Sequence, residues 1–438
     1  MMNPLPPGHS GLPILGETID FFTDPDFSRK RHQKFGAIFR THLLGQNTIF
    51  MQGIAANQFI LENENRYFQV TWPPSTRRLL GHLSLALQTG AAHQSRRKML
   101  VQAFMPRALS GYISTIEAIT HTYCQTWHQM GELVWYPELR NYTLDVACKL
   151  LVGVDNGSQT RLGQLFEIWC QGLFSLPIHL PWTRFGKAQR ARQLLLEELT
   201  NIIQARQQNP SVAGDNALDL LINAVDEAGN HLELAELKDQ VLLLLFAGHE
   251  TLTSAIASFC LLVGQHPIIL ERLRQEQEQF HSAILSLETL KQMTYLEQVL
   301  KEVMRKIPPV GGGFRKVLQT CEFQGYQIPT GWNVLYQIGL THTDEELYPT
   351  PQKFDPDRFH ESQQTPVPKY GYIPFGGGIR ECLGKEFARL EMKIFASHLL
   401  RHAQWEIVPN QDLSLVTIPT PHPRDGLRVK FQLMGNGS

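Results

Sequence analysis

The residues with the clearest chemical potential form one short loop, 375–384, which reads FGGGIRECLG. Its glycines and Cys382 could cradle a phosphate, hold a metal or present a nucleophile. A Walker A phosphate loop needs a lysine followed by serine or threonine, whereas Lys385 precedes Glu386. A zinc site needs further cysteine or histidine at ligand spacing, and none lies nearby. The phosphate and zinc interpretations therefore fail.

Three interpretations of Cys382 remain: a buried free thiol, a nucleophile with a distant base, and a thiolate bound to haem iron. Only the last gives every neighbour a role. Glycines let the backbone turn beneath a flat macrocycle without Cβ clashes. A helix predicted over 382–402 would favour the thiolate at its start. Arg380 would bind a haem propionate, and Phe375 would shield the sulfur from water.

The same loop resembles the haem-binding signature FxxGxRxCxG of the cytochrome P-450 family. Phe375, Gly378, Arg380, Cys382 and Gly384 occupy its fixed positions. The resemblance implies haem b as cofactor, with Cys382 as the axial iron ligand. It also implies a mainly α fold with a small β portion (α+β), a triangular prism of helices around a buried haem. A single domain over 1–438 is expected.

A second motif, AGHET at 247–251, lies within the apolar segment 242–264. Alone, such an acid–alcohol pair is usually a back-bonded threonine beside a surface glutamate, but the apolar surroundings argue against a surface position. The motif resembles the family's [AG]Gx[DE]T. This resemblance implies that Gly248 leaves room for dioxygen and that Glu250 and Thr251 deliver protons.

Glu302 and Arg305 form an ExxR on a predicted helix, which alone would indicate a surface ion pair three residues apart. Downstream, FDPDRF at 354–359 resembles the family's PxRF segment. The resemblance implies that Arg358 joins Glu302 and Arg305 in a structural cluster near the haem loop.

Three further basic residues resemble the propionate ligands of this family. His93 and Arg97 are four residues apart, hence on one helical face, and match its HxxxR. Arg315, after PPVGGGF, matches another propionate-binding arginine. Arg96 and Lys98 are interpreted as a solvated face.

Hydrophobic periodicity predicts a mostly helical chain. A capping box is expected at Thr294 and Glu297, and a surface loop at 208–217. The β-rich portion is predicted at about 36–60 and 314–340, with hairpins in 39–53 and 321–338, and at the C-terminal hairpins. The predicted helices span 109–129, 160–173, 187–207, 236–264, 268–282, 294–306 and 382–402.

Composition limits the class of protein. The chain has 438 residues and a formal net charge of −1, which argues against nucleic acid as a partner. Its six scattered cysteines indicate a reducing compartment. The N-terminus shows neither a signal peptide nor an anchor, and 242–264 is interpreted as a buried helix, since polar side chains interrupt it. We expect a soluble, cytoplasmic protein.

Several segments, 71–81, 174–181 and 307–338, resemble the retinoic acid hydroxylases and their bacterial relatives. This predicts an apolar pocket over the haem for a retinoid such as retinoic acid, with Arg77 or Arg78 near its carboxylate. For the aromatic lining residues the alternative is ordinary core packing, and for Arg77 and Arg78 it is a surface position. The predicted lining residues are Trp72, Phe174, Phe246, Val310, Gly312 and Phe314.

The resemblance thus implies a haem-thiolate monooxygenase that hydroxylates a hydrophobic small molecule with O2. Electrons would come from a ferredoxin-like or flavodoxin-like donor and its reductase, docked near Cys382 at Lys385, Arg389 and Lys393. The alternatives are a peroxide-driven haem-thiolate enzyme, disfavoured by the intact Glu250-Thr251 pair, and a non-enzymatic haem-dependent ligand-binding protein.

Overall fold

The computed structural model describes residues 3–12, 16–208, 216–281, 283–362 and 367–434. Most of the predicted loop 208–217 lies outside these residues. The chain divides into two compact units. We call Met1–Trp72, Val310–Phe354 and Ser362–Cys382 the β-rich unit, and Pro73–Pro309, Asp355–Glu361 and Leu383–Ser438 the helical unit. The single domain expected over 1–438 stays a prediction.

Helices dominate the described chain, as predicted. The α-helices are α1 (Thr18–Thr23), α2 (Phe27–Phe35), α3 (Ile54–Glu62), α4 (Pro74–Leu80), α5 (Gly90–Leu100), α6 (Pro106–Met130), α7 (Trp135–Ala147), α8 (Arg161–Leu173), α9 (Arg184–Gln208), α10 (Ala217–Asn223), α11 (Leu234–Gly264), α12 (Pro267–Glu278), α13 (Leu287–Gln292), α14 (Thr294–Lys306), α15 (Ile338–Thr341) and α16 (Lys385–His402). The strands are β1 (Ile38–Leu43), β2 (Gln46–Met51), β3 (Phe68–Val70), β4 (Glu132–Val134), β5 (Gly312–Val317), β6 (Cys321–Phe323), β7 (Tyr326–Ile328), β8 (Asn333–Gln337), β9 (Ala403–Ile407), β10 (Leu415–Val416), β11 (His422–Pro423) and β12 (Arg428–Leu433).

The β-rich unit is built on a five-stranded sheet in the order β1-β2-β8-β5-β3. Its first hairpin turns at Leu44 and Gly45, whose φ angles are both positive, 53° and 74°. Two consecutive positive φ values are typical of a tight hairpin turn that matches strand twist. Strand β8 then pairs parallel to β2 and antiparallel to β5, which places the glycine-rich β5 inside the sheet.

Neighbouring residues of the strands feed two separate apolar clusters, one on each face of the sheet. Phe39 and Phe50 stack with ring centroids 4.8 Å apart, in a cluster that also holds Phe27. Ile49 and Val334 belong to the other cluster. Because side chains alternate across a strand, the sheet is buried on both sides and holds its loops firmly.

The helical unit is organised around the long helix α11. Although this helix is long and apolar enough to cross a membrane, 72% of its most apolar window is buried within the protein. That burial agrees with the buried-helix interpretation. Small sheets, β4-β12-β9 and β10-β11, complete the unit and include the expected C-terminal hairpins.

Two local predictions about helix starts are wrong. Helix α14 is preceded by Met293 and has no side-chain cap of its own. Its free N–H groups at Tyr295 and Leu296 donate instead to the Glu276 carboxylate on α12, at 2.6 and 2.9 Å. Helix α16 begins at Lys385, not at Cys382. A cap supplied by a distant helix leaves no local pattern in the sequence.

Candidate functional site

The cysteine loop is a closed turn within the β-rich unit. The Cys382 N–H donates to the Phe375 carbonyl at 2.9 Å, and the Glu381 N–H donates to Gly378 at 3.2 Å. Gly378 has a φ of +64°, and a Cβ at this position would collide with the Leu61 carbonyl. Both the conformation and the space therefore require glycine here.

This loop leaves the Cys382 thiol exposed, whereas the other five cysteines are buried. Phe375, whose carbonyl accepts the Cys382 N–H, is half-buried. The prediction that Cys382 is the first residue of a helix is wrong. Gly384 is the N-cap of α16, and Cys382 precedes it by two residues. The loop itself, and not a helix start, presents the sulfur.

Two predicted propionate ligands, Arg315 and Arg380, meet at one residue that the sequence did not reveal. Arg315 on β5 donates from Nε to the Glu64 carboxylate at 2.6 Å, and Arg380 in the cysteine loop does so at 2.8 Å. All three side chains are nearly or fully buried. The structure thus links the cysteine loop to the sheet through a shared carboxylate.

The other predicted propionate ligands lie in the helical unit. His93 and Arg97 share one face of α5, His93 buried and Arg97 half-buried. The neighbouring basic residues behave differently from each other. Lys98 is exposed and pairs with Glu227, as a solvated face predicts, whereas Arg96 is half-buried and pairs with Glu236.

The motif on α11 places its acid and its alcohol differently. Glu250 is buried, which excludes the surface interpretation. Thr251 is half-buried, and its hydroxyl donates back to the Ala247 carbonyl at 2.7 Å. A Cβ at Gly248 would only reach ordinary contact with Leu151, at 3.8 Å. Protein packing around the described residues therefore does not require this glycine.

Glu250 is the inner end of a charged chain that the sequence did not reveal. Arg140 on α7 donates to Glu250 at 2.8 Å and to Glu167 on α8 at 2.7 Å. His249 Nε2 lies 3.3 Å from Glu167, and its Nδ1 lies 2.8 Å from the Thr143 hydroxyl. The Glu167 side chain is 35% exposed while that of Glu250 is 3% exposed. The chain thus leads from the buried acid towards the surface.

The surroundings of Glu167 favour the ionised form of its carboxyl group. Burial opposes ionisation of Glu167, but the hydrogen bond from His249 and the charge of Arg140 together lower its pKa to about 2. Arg140 gains from the same contacts, which raise its pKa despite burial. The Arg140 cation therefore bridges two acids at neutral pH.

The predicted ExxR cluster forms as expected, inside the helical unit. Glu302 and Arg305 are both fully buried, with Arg305 Nε 2.7 Å from Glu302 Oε2. Arg358 Nε lies 3.3 Å from the same carboxylate, and the Asp355 N–H donates to it at 3.0 Å. One carboxylate thus joins α14 to the loop around Arg358.

The predicted substrate residues are not equivalent. Phe246, on α11, is half-buried and packs edge-to-face on Trp169, with ring centroids 5.8 Å apart. Phe314 packs against the Phe27–Phe39–Phe50 cluster, as the core-packing alternative predicts. Phe174 and Val310 are exposed.

Four further residues belong to the predicted pocket. Trp72 and Gly312 are half-buried in the β-rich unit. Arg77 and Arg78 are both exposed on α4, as the surface alternative predicts.

Of the three charges predicted to receive an electron donor, one is misplaced. Lys393 is buried, donates to the Leu290 carbonyl at 2.9 Å and lies 3.0 Å from Glu297. Arg389 is paired with Glu297 and Glu386. Lys385, at the start of α16, is half-buried. Lys393 therefore belongs to the core of the helical unit and not to a docking surface.

Comparison with known proteins gives consistent matches over nearly the whole chain. A sequence model described as cytochrome P450 matches residues 6–425. "Putative cytochrome P450 120" of Synechocystis sp. (strain ATCC 27184 / PCC 6803 / Kazusa) is 55% identical over 430 residues, covering 98% of this chain and 97% of that protein. Cytochrome P450 26A1 of Xenopus laevis is 37% identical over 450 residues, covering 98% and 90%.

A solved structure also aligns throughout. The structure titled "Retinoic acid bound cyanobacterial CYP120A1" has a TM-score of 0.95 and 54% identity, covering 99% of this chain and 100% of that chain. The likeness extends over both units of the present structure and agrees with the predicted mainly helical fold.

Proposed function

Since the chain belongs to the cytochrome P450 family of haem-dependent oxidoreductases, we propose that it hydroxylates a retinoid such as retinoic acid and that the Cys382 thiolate would hold the iron of haem b. The observation that carries the assignment of Cys382 is its loop: a tight glycine turn exposes this thiol while five other cysteines are buried. The thiolate is a suitable ligand for haem iron. The likeness to a protein solved with retinoic acid supports the substrate.

The residues present fit a haem. A Cβ would fill the close approach at Gly378, and two arginines of the same unit, Arg315 and Arg380, offer guanidiniums suited to propionates. His93 and Arg97 would bind propionates from the helical unit. When bound, haem supplies the chemistry that inserts one atom of O2 into a C–H bond and reduces the other to water.

The chain's own residues would control protons and water. Thr251 holds a proton on its hydroxyl, and Gly248 leaves space beside it. Glu250 Oε1 accepts a hydrogen bond from Arg140, which fixes this carboxylate in place, and its other oxygen, Oε2, would carry the proton that passes to Thr251. Glu167, at the more exposed end of this group of residues, would hold the Arg140 cation in place beside Glu250.

Phe246 would form an apolar wall of the substrate pocket, because it precedes Gly248 by two residues on the same helix. Trp72, Phe174, Val310, Gly312 and Phe314 would complete it, with Phe314 shared with the sheet core. Glu302, Arg305 and Arg358 would hold the region structurally. Either exposed arginine, Arg77 or Arg78, would attract the substrate carboxylate.

Electron supply would come from an external ferredoxin-like or flavodoxin-like protein with its reductase, approaching near Lys385. We further propose that the protein is soluble and cytoplasmic, acts as one functional domain and has no nucleic acid partner.

A ligand titration followed by haem absorbance tests the substrate. Retinoic acid should shift the haem spin state and be hydroxylated in the presence of O2 and an electron donor. Thr251→Ala should consume O2 but release peroxide in place of product, while Thr253→Ala on the same helix should remain coupled. Absence of both the spin shift and turnover would refute the retinoid substrate, and a Thr251→Ala variant that stays coupled would refute its proton role.

A further inference from the structure

One carboxylate of the β-rich unit contacts three separate segments. Glu64 lies between α3 and β3, and its side chain is 3% exposed. Its Oε1 accepts from the Val70 N–H at 3.0 Å and from Arg380 Nε at 2.8 Å. Its Oε2 accepts from Arg315 Nε at 2.6 Å. The two oxygens of Glu64 thus accept three hydrogen bonds at once. Among side chains of similar size only a carboxylate can do this, because both of its oxygens are acceptors.

Both guanidiniums bind Glu64 through the same atom, Nε. A guanidinium is planar, so a hydrogen bond at Nε fixes the plane in which its terminal nitrogens lie. Arg315 is restrained further: its Nη1 donates to the Phe314 carbonyl at 3.0 Å, and its guanidinium lies 5.3 Å from the Tyr336 ring centroid. Two cations this close would otherwise repel each other in a buried site.

We infer that Glu64 is a positioning residue for haem: by binding Arg315 and Arg380 through Nε, it orients both guanidiniums towards the haem propionates. This inference rests on the proposed role of the two arginines. It assigns to Glu64 no contact with the haem. Its effect passes entirely through the arginines and thus through the negative charge of the propionates.

An amide cannot replace the carboxylate. In Glu64→Gln one acceptor becomes an NH2 group. At the Oε2 position it would face Arg315 Nε–H, and at the Oε1 position it would face both Arg380 Nε–H and the Val70 N–H. Donor would then oppose donor, and at least one guanidinium would lose its anchor. Losing the charge-assisted hydrogen bond that anchors one guanidinium should weaken haem binding about tenfold, which corresponds to about 1.4 kcal/mol.

The test compares two porphyrins on the full-length chain. Apoprotein of the wild type and of Glu64→Gln is titrated with haem and with iron protoporphyrin IX dimethyl ester, whose propionates are uncharged. Glu64→Gln should bind haem about tenfold more weakly than wild type does and should bind the ester equally well. Glu62→Gln, the same chemical change two residues earlier on a more exposed side chain, should change neither affinity.

The ester separates positioning from simple structural damage. Equal weakening for both porphyrins would overturn the inference, because a misfolded unit loses both alike. Unchanged haem affinity would also overturn it. Glu64→Asp, which keeps the charge, should recover part of the haem affinity. Failure of the proposed function would show differently, as a wild-type protein whose haem lacks thiolate ligation.

Discussion

The buried cluster around Glu302 offers a stability prediction with a matched internal control. Glu302→Gln removes the charge that faces Arg305, and both side chains are fully buried. The Oε1 atom alone receives Arg305 Nη2 at 2.8 Å and the Asp355 N–H at 3.0 Å. The substitution therefore leaves the fully buried Arg305 cation without the charge that faces it.

Removing one partner of a buried ion pair costs about 3–5 kcal/mol, because the remaining charge stays desolvated. The chain contains a second Glu–basic pair at the same i, i+3 spacing, Glu288 and Lys291, with side chains 78% and 71% exposed. Surface pairs contribute at most about 1 kcal/mol. Glu288→Gln should therefore change the free energy of unfolding by less than this amount.

Urea unfolding of the full-length proteins, followed by circular dichroism and by haem absorbance, provides the assay. Glu302→Gln should unfold at clearly lower urea than the wild type, while Glu288→Gln should coincide with it. Replacing Glu302 and Arg305 together by leucine should recover much of the loss, since no buried charge of the pair remains. Equal midpoints for Glu302→Gln and Glu288→Gln would refute the reasoning.

Further predictions concern the cysteine loop, acid stability and donor docking. Gly378→Ala combines a positive φ with a backbone collision and should lose haem. Gly376→Ala has a positive φ but open space, so its free energy of unfolding should fall by only about 1–2 kcal/mol. Equal haem retention in absorbance spectra of the two variants would contradict this. Burial, with the neighbouring histidines and Arg401, lowers the His398 pKa to about 3. Below the unfolded-state value of 6.5, the unfolded chain therefore binds a proton that the folded chain excludes. Stability should fall by about 2 kcal/mol between pH 6.5 and 5, and His398→Phe should flatten this slope in melts at both pH values. Lys385→Glu should raise the Michaelis constant for a ferredoxin-like donor, whereas the buried Lys393→Glu should lower stability; the reverse pattern would contradict the assignment.

The sequence alone predicted features that depend on local spacing. The cysteine loop closes as its glycines require, and Glu302 pairs with Arg305 three residues along the same helix, whereas the contact with Arg358 was implied only by the family resemblance. The long helix α11 is buried as its apolar composition indicates, and the first hairpin forms within 39–53 with its turn at Leu44 and Gly45. In each case a short pattern specifies the backbone directly.

Features that depend on distant partners were missed. Glu64, Arg140 and Glu167 are single charged residues without a local pattern, and their role arises only when separate segments pack together. Lys393 shows the same limit from the opposite side: a lysine is expected at the surface, yet it is buried against Glu297. Sequence periodicity predicts which face of a helix is buried, but it does not predict which charged residue of a neighbouring helix that face will contact.

The most direct test of the central claim is a carbon monoxide spectrum of the reduced full-length protein, wild type beside Cys382→Ser. The wild type should give the red-shifted band of thiolate ligation, and Cys382→Ser should lose that band even where haem is retained. Cys321→Ser, a buried cysteine of the same unit, should keep it. A wild type without the band, or a Cys382→Ser variant that retains it, would contradict the assignment of Cys382 as the haem ligand.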